Sequence, residues 1–115
     1  MRHGNVNRKF GRKTDERRAL LRSLARSLVL EGRIKTTEAR AKEIRPMVEK
    51  LVTRGKVDSV TNRRLLESSL GDAPTVKKLL ETAKQYTTRP GGYLRIVKMG
   101  PRKGDASPMA VIEFV

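Results

Sequence analysis

The chain has 115 residues, with 27 Lys and Arg against 12 Asp and Glu, a formal charge of +15. At 37% hydrophobic and 34% charged, it can bury one modest core beneath a large charged surface, and a charge of that size calls for a polyanionic partner. Cysteine is absent, which excludes disulfides, thiolate metal sites and cysteine nucleophiles.

Residues 1–14 contain Arg2, Arg8, Lys9, Arg12 and Lys13 and no acidic side chain. Such a segment is too polar to join a core and is expected to become ordered on phosphates. It has neither the apolar stretch of a secretory signal nor, over Asn5 to Lys13, the amphipathic pattern of a transit peptide. No segment is apolar for the roughly 18 residues of a membrane span, so a cytoplasmic chain without a membrane partner is expected.

Thr14-Asp15-Glu16 reads as a helix start, with Thr14 as cap and two acids in the first turn, where the helix dipole favours them. Leu20, Leu21, Leu24, Ala25 and Leu28 form one apolar face, and Gly32 supplies the stop. Arg18, Arg22 and Arg26, spaced by four, form a separate stripe expected to point away from that face and, with Arg17, to extend the basic surface of the arm. Arg33 to Thr37 is short and β-branched, a strand. A second helix begins at Thr37-Glu38 and carries Ile44, Val48, Leu51 and Val52, with Pro46 expected to kink or split it. Asp58 or Ser59 caps a third helix with Leu65, Leu66 and Leu70. After Gly71-Asp72-Ala73-Pro74 a fourth carries Val76, Leu79, Leu80 and Ala83, with Pro74 in its first turn. Beyond Arg89-Pro90-Gly91-Gly92 the period changes to two. Tyr93 to Met99 and Met109 to Val115 read as a hairpin with a long basic loop containing Arg102 and Lys103.

The expected fold is α+β: four helices packed on a small three-stranded sheet, in the order α-β-α-α-α-β-β. Residues 15–115 form the single domain and residues 1–14 its basic extension.

Catalysis has little to build on. His3 is the one histidine and falls in the extension, where stacking or hydrogen bonding to RNA suits it better than acid–base work. No metal site, cofactor or small-molecule substrate is expected. Gly91-Gly92 precedes a strand and is a turn, not a phosphate-binding loop. Four aromatics, Phe10, Tyr86, Tyr93 and Phe114, are too few for single-strand binding built on stacking. The helices flanking Gly71 to Pro74 are a weak helix-turn-helix pair, because the second mixes lysines with core leucines. What remains is a folded body with an arginine-rich extension suited to structured RNA. A DNA-binding protein and a free RNA chaperone are the alternatives that the same charge would serve.

Several segments carry a family likeness: Arg2-His3, Arg17 to Arg22, Ile34 to Thr37, Ala41 to Pro46, Asn62 to Leu65, Gly91 to Ile96 and Gly104 to Ala110. In this order they span nearly the whole chain, which resembles the bacterial ribosomal protein L17 family of the large subunit. It departs from the family's usual residues at Glu16, Ser23 and Ser107, where His, Asn and Ala are common. The resemblance implies a non-enzymatic structural constituent that binds 23S-type rRNA near the peptide exit tunnel, beside neighbouring large-subunit ribosomal proteins. It would support subunit assembly and translation. The expected RNA contacts are Arg2, His3, Arg8, Lys9, Arg12, Lys13, Arg17, Arg18, Arg22 and Arg26. Lys35, Arg63, Arg64, Arg95, Arg102 and Lys103 form a second tier.

Overall fold

The computed structural model describes Phe10 and residues 13–115. Its elements are α1 (Thr14–Glu31), β1 (Arg33–Thr37), α2 (Glu38–Gly55), α3 (Val60–Leu70), α4 (Ala73–Ala83), a short 3-10 turn (Lys84–Tyr86), β2 (Leu94–Pro101) and β3 (Pro108–Phe114). The α+β order expected from the sequence is the observed one. The sheet is antiparallel throughout, with β3 central in the order β1-β3-β2.

Local chemistry accounts for the element ends. Gly32 closes α1 in the left-handed conformation (φ 82°), and its N–H donates to the Leu28 carbonyl at 2.8 Å. Only glycine adopts that conformation without a Cβ penalty. Thr37 ends β1 and also caps α2, its Oγ1 accepting from the Arg40 N–H at 3.3 Å. Ser59, not Asp58, caps α3 by accepting from the Asn62 N–H. Thr14 does not cap α1. It is the first helical residue, and Lys13 occupies the cap position with no side-chain bond.

Pro46 was expected to kink or split α2, yet the helix runs through it for 18 residues. Proline removes one backbone hydrogen bond, but its ring lies on the exposed side. Ala41, Ile44, Val48, Leu51 and Val52 on the opposite side are buried. Tertiary packing along that whole face holds both halves on one axis. Each buried aliphatic side chain contributes about 1.5–3 kcal/mol, comparable to the proline penalty of about 3 kcal/mol.

α2 is the hub, packing against α1, α3, α4 and all three strands. The core joins Leu28 and Val29 of α1 with Leu66 and Leu70 of α3, Leu79 of α4, and Leu94 and Ile112 of the sheet. Three aromatics close one end of it. The rings of Tyr86 and Tyr93 lie 5.1 Å apart and those of Tyr86 and Phe114 6.4 Å apart. The Tyr86 hydroxyl donates to the Val115 carbonyl at 2.8 Å, and burial raises the pKa of that phenol. The Tyr93 hydroxyl pairs with Thr53 Oγ1 at 3.2 Å.

Candidate nucleic-acid interface

The arginines of α1 divide into two groups by what they touch. Arg17, Arg18 and Arg22 have no ion pair among the described residues, and Arg18 and Arg22 are exposed. Asp15 and Glu16 sit in the first turn but make no ion pair with these arginines. Lys13, exposed at the helix cap, adds a fourth free cation, and its carbonyl accepts from the Arg17 N–H at 2.8 Å. This cluster stands at the point where residues 1–12 join the domain.

The stripe does not point away from the fold along its whole length. Arg26 Nη1 donates to the Leu70 carbonyl at 3.4 Å, a long bond onto the last turn of α3. The side chain of Arg22 lies beside Gly71, where an added Cβ would be 3.5 Å from its Cδ. Helix C-termini leave carbonyls unpaired and carry partial negative charge. The α3 terminus therefore draws in the nearest guanidinium, which helical spacing alone does not reveal.

The second-tier residues divide in the same way. Arg63 grips Asp58 with two bonds (2.5 and 2.8 Å), and Arg102 grips Asp105 with two (3.0 and 2.6 Å). Arg95 donates to Glu113 at 2.7 Å, while Arg33 approaches the other oxygen of Glu113 at 3.6 Å. These guanidiniums hold their carboxylates below the usual pKa. Asp105 lies furthest down, because the Ser107 N–H adds to the Arg102 bonds. By contrast Lys35, Arg64 and Lys103 are exposed and carry no ion pair among the described residues. Arg2, His3, Arg8, Lys9 and Arg12 lie outside the described residues.

Two cations without an ion pair among the described residues were not among the expected contacts and stand together beside a groove. Lys50 and Arg54 of α2 flank an open groove of about 640 Å³ lined also by Pro46, Thr53, Val57 and Pro90. Their i, i+4 spacing on the exposed side of α2 was the available signal. Among the described residues, no three His, Asp or Glu side chains gather as a metal site needs. No described helix is long and apolar enough to cross a membrane. Tyr86, Tyr93 and Phe114 pack within the fold, so they offer no platform for stacked bases.

The sequence profile of ribosomal protein L17 matches residues 20–115. The chain belongs to the ribosomal protein L17 family. The large ribosomal subunit protein bL17 of Thermomicrobium roseum is 49% identical over 116 residues, covering all of this chain and 99% of that protein. The bL17 protein of Anaplasma marginale is 53% identical over 121 residues, covering all of this chain and 90% of its own length. That of Azorhizobium caulinodans is 49% identical over 116 residues, with 100% and 84% covered. Membership of the L17 family makes the chain a ribosomal protein with a structural role, not an enzyme.

Proposed function

We propose that this chain is a structural constituent of the large ribosomal subunit that binds 23S-type rRNA near the peptide exit tunnel through residues 1–14 and the first turns of α1. The domain of residues 15–115 positions that arm and supports subunit assembly and translation. The observation that carries the reading is that Arg17, Arg18 and Arg22, at the base of the basic segment, have no ion pair among the described residues. Free guanidiniums at an exposed helix start can bind phosphate oxygens without first breaking an internal pair. Arg2, His3, Arg8, Lys9, Arg12 and Lys13 extend the same contact. Arg64 is a reachable secondary contact. Arg63, Arg95 and Arg102 contribute less because carboxylates already hold them, and Arg26 divides its hydrogen bonds between α3 and RNA.

The experiment is sedimentation of large subunits after a high-salt wash, comparing the native chain with a variant reversed at Arg17, Arg18 and Arg22. Salt removes loosely adsorbed basic proteins. The native chain is expected to stay with the particle and the variant to shift toward the top of the gradient. Retention of both in equal amounts would show that these arginines are not what anchors the chain.

A further inference from the structure

Helices cover only one face of the sheet, and register shows what the other presents. Ile34, Ile112 and Ile96 pair across the three strands, as do Thr36, Ala110 and Lys98. Ala110 and Ile112 belong to the core and Ile34 and Ile96 pack against it, so these rows face the helices. Alternation then puts two rows on the outer face: Arg33, Glu113 and Arg95, then Lys35, Val111 and Val97. Met109 continues the outer side of β3, and Met99 sits at the register shift between Lys98 and Gly100.

This outer face has an apolar centre. Val97 and Met99 are 44% and 54% exposed. Met99 and Met109 also line a hollow of about 420 Å³ whose other walls include Lys35, Arg102 and Lys103. The rim is cationic. At one end two guanidiniums share the single carboxylate of Glu113. At the other, Lys35 and Lys103 are unpaired among the described residues. Val97 and Met99 are exposed and adjoin half-buried Met109 and buried Val111, a contiguous apolar patch and not scattered exposure.

Charge selects the occupant. Residues 1–13 hold five Lys and Arg and no acidic side chain, so this rim repels them, and it repels a second copy of itself. Nucleic acid would satisfy the rim but would leave the exposed apolar surface of Val97 and Met99, which offers no hydrogen-bond donor, against polar backbone. The edge of β2 is no alternative. The Leu94 N–H is taken by Glu49 at 3.4 Å, and the Gly100 irregularity and Pro101 interrupt the far end. We propose that the outer face of the sheet docks a neighbouring protein of the subunit. The docked segment sets aliphatic or aromatic side chains over Val97 and into the Met99–Met109 hollow, with acidic residues beside Lys35, Lys103 and Arg95. This site is separate from the RNA contact of α1, and either can fail without the other.

The test places photoreactive benzoylphenylalanine at position 97, and separately at position 99, in assembled large subunits purified after the salt wash. A ribonuclease-resistant adduct with one protein is expected. Its cross-linked peptide, identified by mass spectrometry, should combine apolar residues with nearby Asp or Glu. Reversing Lys35 and Arg95 to Glu should lower the yield roughly tenfold, with melting of the isolated chain as the folding control. An adduct to rRNA, to residues 1–13 or to a second copy of the chain would overturn the proposal. So would a protein peptide without acidic residues, a yield unmoved by the charge reversals, or no adduct from either position.

Discussion

Two sets of arginines on this molecule carry the same side chain and play different parts. Arg17, Arg18 and Arg22 at the start of α1 are unpaired among the described residues, whereas Arg63, Arg95 and Arg102 each hold a carboxylate. The acidic residues that could have neutralised α1, Asp15 and Glu16, instead face the helix dipole in its first turn. The difference teaches that total charge is a poor guide to where a basic protein meets its partner. Affinity for a polyanion depends on charge not already bound internally, because an arginine in a bidentate pair must give up that pair to reach a phosphate.

The largest effect that would test this contrast comes from reversing Arg17, Arg18 and Arg22 to Glu. Affinity for rRNA should fall by roughly 100-fold or more at moderate salt, and the slope of log affinity against log salt should flatten by about two to three. The melting temperature should hardly move. A protein that no longer folds would break the contrast, because these arginines would then be structural.

Arg26 sharpens the comparison, since it lies on the boundary. Arg26→Ala should lower unfolding free energy by about 1 kcal/mol through the lost bond to the Leu70 carbonyl, read from urea denaturation. Its effect on rRNA binding should be smaller than that of any α1 residue nearer the helix start.

Acid should act on the paired carboxylates, Glu38 beside Lys42 and Lys98 among them. Asp58, Asp105 and Glu113 have folded-state pKa values below their ordinary ones. Their contribution is therefore complete above the ordinary values of 3.8 and 4.5 and is lost as pH falls through the lower folded values. Thermal melts from neutral pH downward should show a decline confined to the region below about pH 5. Replacing Asp58 and Asp105 with Asn should shrink that decline. An unchanged profile would mean the pairs are too solvent-screened to contribute.

The smallest effect is expected from Arg63→Ala and Arg102→Ala, each leaving rRNA affinity within a factor of about two. A loss as large as that from α1 would mean that RNA captures these arginines from their carboxylates.

Much of this arrangement was legible in the sequence, because it rests on short-range rules. Apolar residues at three- and four-residue spacing marked α1 to α4, and Gly32 marked a chain reversal that glycine tolerates best. The change to a period of two beyond Gly92 marked the hairpin. What escaped depends on contacts between elements distant in the chain. Arg95 meets Glu113 only once β2 and β3 are in register. Arg26 meets Leu70 only when α1 lies across the end of α3. Pro46 looked like a helix breaker because its intrinsic cost is visible locally, while the packing that offsets it comes from α1, α4 and the sheet. Thr14 is a reasonable cap by residue type, yet the helix starts one residue earlier than that role allows.

The joints on either side of β1 carry a mechanical consequence. One residue, Gly32, separates α1 from the strand, and Thr37 belongs to the strand while capping α2. The Gly32 carbonyl is also bonded to the Phe114 N–H at 3.2 Å, tying the first joint to the central strand. With no slack at either joint, α1 cannot swing without carrying the sheet along. The helix and the sheet behave as one lever, and whatever grips the start of α1 also sets the direction in which Val97 and Met99 face.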